Sequence, residues 1–149
     1  MQQLGISPND LKDIVGAPAY RCPGSCGQLP LQTLEELAQN PKVVAIGEIG
    51  LDYYWNKDNK EVQKQIFIKQ IELANNLNLP IVIHCRDAIC DTIEILKTYI
   101  GIKGVFHCCP LNRELVKEAL KLGFYISFAG PVTFKNSKNA EEIIRPGFQ

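Results

Sequence analysis

Val43-Val44-Ala45-Ile46-Gly47-Glu48 is a short apolar run that ends on a carboxylate. Two further stretches repeat its outline with a different last residue, Ile81-Val82-Ile83-His84 and Gly104-Val105-Phe106-His107. Unbroken apolar runs of this length read as strands buried on both faces, the mark of a parallel sheet. Phe124-Tyr125-Ile126-Ser127-Phe128 reads as a fourth strand. Each interval between runs leaves room for one crossover helix, so strands and helices alternate and the fold class is α/β.

The intervening segments carry the helical period. Leu31, Leu34 and Leu37 stand three apart, and Asn40-Pro41 ends that helix because the residue before proline avoids the α region. Glu61 to Leu77 predicts the longest helix, with Phe67, Ile71, Ala74 and Leu77 on one face. A third begins at Asp91, spaced from Glu94 as in a capping box, with Ile93, Leu96 and Ile100 as its apolar stripe. Asn112 caps a fourth, which turns Leu115, Val116, Ala119 and Leu120 inward and stops at Gly123.

The chain has 149 residues, which suits one domain. It is 46% hydrophobic and 21% charged, a composition of soluble globular proteins. No apolar run approaches the ~20 residues of a membrane span. The N-terminus has neither a basic nor an apolar leader region, so the expected location is the cytoplasm. Formal net charge is zero, which lends no bulk electrostatic support to nucleic-acid binding; a metal site could supply local positive charge instead. Residues 16–30, rich in Gly, Pro, Ser and Cys, read as an irregular loop. Within it Cys22 and Cys26 have no second Cys or His pair at zinc-finger spacing, and the six cysteines are expected to be reduced thiols.

The chemistry gathers at the strand ends. Glu48, His84 and His107 each close a buried strand, and the two histidines are the only ones in the chain. In parallel α/β folds the carboxyl ends of the strands form the functional face. Two imidazoles and a carboxylate are a ligand set for a catalytic divalent ion that leaves positions open for water and substrate. A single histidine at a strand end is more often a satisfied core residue, but three strand ends in register favour the metal. Nearby, Arg86 has the geometry to hold a phosphate or carboxylate bidentately, or to pair with Asp52 or Asp87. Tyr53, Tyr54 and Trp55 could stack on bases, although an aromatic cluster after a strand more often packs on a helix. Lys135 and Lys138 read as solvated loop charges.

At these residues the sequence resembles the TatD family of metal-dependent hydrolases. The resemblance rests on four stretches taken in order, Val43 to Tyr54, Leu77 to Ala88, Gly104 to Cys108 and Gly123 to Phe128, and it extends from about Leu31 to about Ile144. It implies an amidohydrolase-like TIM (β/α)8 barrel, here a single partial barrel over 1–149 with about half the strands. It also implies hydrolysis of DNA phosphodiesters, in the manner of a 3′–5′ exonuclease, by water activated by Mg²⁺ or Mn²⁺, with Zn²⁺ also plausible. D-aminoacyl-tRNA deacylation, or hydrolysis of another ester, is the alternative within the family. By the same resemblance Glu48, His84 and His107 are metal ligands, Glu48 bridges two ions, and Ser7 takes a substrate-side position; Arg86, Asp52 and Tyr53 are expected at the substrate from their places at the rim.

The departures from the family pattern point to an impaired chain. Such a barrel needs about 250 residues. The family's opening His-x-His and closing Glu-Thr-Asp are absent, and Ser7 stands where the family has a histidine. Residues 16–27 and 145–149 do not resemble the family. A rival expectation is therefore a catalytically inactive barrel fragment that self-associates through its open sheet edges.

Overall fold

The structure is a computed structural model that describes residues 31–145 except 56 and 138. Ser7, Cys22, Cys26, Lys138, loop 16–30 and residues 146–149 lie outside the described residues.

Helix α1 (Leu31–Ala38) precedes four β/α units: β1 (Ile46–Asp52), α2 (Lys60–Asn76), β2 (Ile81–Arg86), α3 (Ile89–Lys97), β3 (Gly104–Phe106), α4 (Arg113–Lys121) and β4 (Tyr125–Ile126). A 3₁₀ turn (Gly130–Thr133) and the short α5 (Ala140–Ile144) follow. The strands lie parallel in the order β1-β2-β3-β4. Sequential order means that every crossover steps the same way. With a common right hand this puts the helices on one face, as in a barrel, whereas a doubly wound sheet reverses its order. The fold is thus α/β and a partial TIM barrel, with four of the eight strands among the described residues.

The core lies between helices and sheet. Phe67, Ile71 and Ala74 of α2 are fully buried, as are Ile49 and Leu51 of β1, and the buried Phe106 packs edge-on against Phe124. Each such large side chain contributes about 1.5–3 kcal/mol of transfer free energy. Asn112 caps α4 as expected: its Oδ1 accepts from the Leu115 N–H at 2.9 Å. Gly123 takes the expected positive φ, 83°, just past that helix.

Several boundaries differ from the sequence reading. The first strand starts at Ile46, three residues later than expected, and continues past Glu48 to Asp52, leaving Val44 exposed. Its register against β2 slips by one residue between Gly47 and Ile49, so Glu48 is the extra residue of a bulge. Helix α3 starts at Ile89 with no side-chain cap, because the Asp91 carboxylate turns away to Tyr53 and Lys64. It ends at Lys97, so Ile100 lies beyond the helix and is 97% exposed instead of joining the stripe. Leu120 is exposed as well, and the last strand spans two residues rather than five.

Candidate functional site

Bulges redirect a side chain out of the alternation of its strand. Here the bulge sends Glu48 to the rim where β2 and β3 end. Its Oε1 lies 3.2 Å from His107 Nε2 and its Oε2 lies 4.0 Å from His84 Nδ1. The three residues singled out by their strand positions therefore meet, although only His107 sits beyond its strand; Glu48 and His84 lie within theirs.

Gly50 has φ +138°, and a Cβ added there would run into the His84 carbonyl, so a side chain would push β1 and β2 apart beneath the site.

His84 is anchored from behind. Its Nε2 lies 2.9 Å from Asp52 Oδ2, and Asp52 is fully buried. A buried carboxylate facing one ring nitrogen keeps the proton there and turns the lone pair of the other, Nδ1, toward the Glu48 side, as a cation ligand requires. Asp52 does not reach the surface, so the expected direct contact with substrate gives way to support of His84 from within. Its second oxygen accepts from the Tyr54 N–H at 2.9 Å and the Trp55 N–H at 3.2 Å, which fixes the turn after β1.

Gln63 of α2 completes this support. Its Oε1 accepts from the Asp52 N–H at 2.8 Å and its Nε2 donates to the Asp52 carbonyl at 3.0 Å. A buried glutamine thus acts toward the strand end as a neighbouring strand would. Sequence reasoning missed it, because a glutamine within an amphipathic helix carries no signal of its own.

Tyr53 is also buried. Its hydroxyl donates to Asp91 Oδ2 at 2.6 Å, and Lys64 Nζ approaches the same oxygen at 2.8 Å. Burial and the adjacent Asp91 carboxylate push the Tyr53 hydroxyl up, so it remains a donor. Tyr53 therefore fastens β1 to α3 and is not a stacking surface. Cys85, buried behind His84, has its thiol pushed up to about 11 by burial, and Cys109 is pushed up to about 12 by the same cause. Both are packing residues and not nucleophiles.

Arg86 shares the His84 face of β2 and forms no pair with Asp52 or Asp87; its guanidinium lies 3.9 Å from the centroid of the Tyr54 ring. It lines two cavities, one of about 890 Å³ with Tyr53, Lys60 and Asn112, the other of about 580 Å³ with His84, Cys108 and Phe134.

Among the described residues, no group of three or more His, Cys, Asp or Glu side chains is gathered into a ready-made cage for a metal ion. The donors instead form a row, Asp52–His84–Glu48–His107, with the Glu48 carboxylate drawn against both rings. The donor chemistry nonetheless fits a divalent cation: two imidazoles flank one carboxylate, and the inner ring is held by a buried acid, the usual support of a metal-binding histidine.

A family model described as TatD related DNase matches residues 2–146, a wider span than the motifs alone marked. YabD of Bacillus subtilis strain 168, described as an uncharacterized metal-dependent hydrolase, is 48% identical over 117 residues, which cover 77% of this chain and 46% of YabD. A protein described as 3′-5′ ssDNA/RNA exonuclease TatD, from Escherichia coli K12, is 38% identical over 101 residues, covering 66% of this chain and 39% of that one. The crystal structure of the TatD homologue YJJV from Escherichia coli K12 superposes with a TM-score of 0.74 at 23% identity, over 91% of this chain and 57% of that one. The chain spans about half the length of the curated relatives it matches. Among the described residues, no helix is long and apolar enough to cross a membrane.

Proposed function

The chain belongs to the family of TatD-related DNases, and on that premise we propose that it carries part of the active centre of a divalent-metal-dependent hydrolase that cuts phosphodiester bonds in nucleic acid. The observation that carries this reading is the placement of Glu48 between His84 and His107, with the far nitrogen of His84 held by buried Asp52. Glu48, His84 and His107 would hold the ion. Bound there, a Mg²⁺, Mn²⁺ or Zn²⁺ ion would lower the pKa of its water and polarise the phosphorus–oxygen bond. Asp52 sets which imidazole nitrogen faces the ion. The half-exposed His107 and the open rim leave room for a substrate.

Isothermal titration with Mn²⁺ tests the site. Wild type is expected to bind one ion weakly, and His84→Ala is expected to lose at least tenfold in affinity, the scale of a removed ligand or its support. Equal affinity in both proteins would remove the assignment. A 5′-labelled single-stranded oligonucleotide tests the reaction, with metal-dependent shortening as the expected result and D-aminoacyl-tRNA as the competing substrate.

A second reading rests on the open sheet. Among the described residues β1 and β4 are outer strands, and unpaired strand edges recruit other chains. On that reading the chain associates without turning over substrate. Dimers or larger species in light scattering, together with no oligonucleotide cleavage, would favour it.

A further inference from the structure

Tyr54 and Trp55 remain outside the core, 49% and 65% exposed, while the preceding Tyr53 is buried. Singly exposed aromatics are ordinary. These two are held in a fixed arrangement: their rings meet edge-on at 87° with centroids 4.8 Å apart, and their backbone N–H groups are both tied to buried Asp52. The Tyr53 N–H donates to the Arg86 carbonyl at 2.9 Å, which carries the β1–β2 ladder into the turn and sets it beside Arg86.

Arg86 completes the group. Its guanidinium lies 3.9 Å from the Tyr54 ring centroid and 5.6 Å from that of Trp55. Among the described residues no carboxylate pairs with it. Its orientation is thus fixed by ring faces while its N–H donors remain available, an arrangement suited to an anion that offers two oxygens side by side, such as a phosphate. Along β2 the side chains of His84 and Arg86 point to the same face, two residues apart. The group is therefore an extension of the candidate ion site along one rim.

We propose that Tyr54, Trp55 and Arg86 form a nucleotide-binding platform, in which an unpaired base stacks on the exposed rings and an adjoining phosphate is held by the Arg86 guanidinium. This rests on the phosphodiesterase reading above and adds to it the side chains that would receive an unpaired base. Duplex bases are already stacked and cannot lie on the rings. The two cavities that Arg86 lines, about 890 and 580 Å³, are within the range of about 300–1,000 Å³ that holds small ligands, so a strand bound at Arg86 has space beside it. The aromatic rings supply affinity through faces common to all bases, so the platform is indifferent to sequence. A neutral chain would gain its foothold on nucleic acid here and not from a basic surface.

Trp55 is the only tryptophan, so its fluorescence reports on the platform alone. The full chain is titrated in EDTA with five-nucleotide oligo-dT, oligo-rU and an abasic strand of the same length. Saturable quenching by oligo-dT or oligo-rU, with the abasic strand weaker by about tenfold, supports the platform, and the ratio of the first two shows which sugar it prefers. Tyr54→Ala and Arg86→Lys are each expected to weaken binding about tenfold, the scale of one stacked base, with melting temperatures close to wild type. Quenching that is equal for the abasic strand, or unchanged in both variants, overturns the proposal. Intact quenching in a chain that fails the Mn²⁺ titration keeps the platform and removes only the ion site.

Discussion

The two halves of the sheet hold their histidines in opposite ways. β1 and β2 pair along their whole length, from Ile46 with Ile81 to Asp52 with Arg86, and Gln63 and Asp52 tie the end of that ladder into the core. His84 grows out of this half and its side chain is 20% exposed. β3 and β4 pair at two positions only, Val105 with Tyr125 and Phe106 with Ile126. His107 follows this shorter ladder, is 48% exposed, and has Glu48 as its partner. One imidazole is thus built into the core, and the other, at the proposed ion site, would be the one to adjust to an ion. A site of that kind places the cost of substitution on one side and the adaptability on the other.

The largest break in this contrast is expected from Asp52→Ala. It strands His84 Nε2 and the N–H groups of Tyr54 and Trp55, each buried or partly buried. A loss of about 3 kcal/mol in unfolding free energy is expected, measured by urea denaturation, together with a ten- to hundredfold drop in Mn²⁺ affinity. An Asp52→Ala protein as stable as wild type would show that the two halves are equally loose.

Asp91→Asn is expected to cost less, about 1–2 kcal/mol, because it weakens the Tyr53 and Lys64 contacts that fasten β1 to its helices. Its pH dependence sharpens the point. The Lys64 ammonium and then the Tyr53 hydroxyl hold the Asp91 carboxyl below its ordinary range. A group depressed on folding contributes its full stability above its unfolded value, about 3.9, and loses it as pH falls through the lower folded value. The gap between wild type and Asp91→Asn should therefore be widest near neutrality and close below about pH 4.

His107→Ala is expected to leave stability within about 0.5 kcal/mol of wild type, since the ring is half exposed and ends a short ladder. Its Mn²⁺ affinity should nevertheless fall with that of His84→Ala. A large loss of stability in His107→Ala would put structural weight on the half of the sheet described here as loose.

The sequence revealed the strands of the sheet and the residues of the row for the same reason: buried parallel strands leave unbroken apolar runs, and a polar residue at the end of a run stands out. What it hid was local. The apolar run closes on Glu48, but Gly50 at φ +138° leaves room for the His84 carbonyl beside it, so β1 continues to Asp52. The capping spacing of Asp91 and Glu94 was outweighed by a tertiary partner, Lys64, 27 residues earlier in the chain. The stripe through Ile100 failed because Thr98 caps α3 before the helical period could bring Ile100 round. Asp52 and Tyr53 were visible as residues of the rim, yet their inward direction depends on the bulge at Glu48, which no periodicity announces. Tyr54 and Trp55, read together with Tyr53 as packing or stacking, divide between the two: Tyr53 packs and the others stay outside.

Convergence of both imidazoles on one ion can be read directly by NMR, because the chain has two histidines and hence two sets of imidazole C–H signals. On adding sub-stoichiometric Mn²⁺, both sets should broaden in parallel, and neither should broaden in a Glu48→Gln chain at the same concentration. Broadening of one set alone, or of neither, would contradict a shared site.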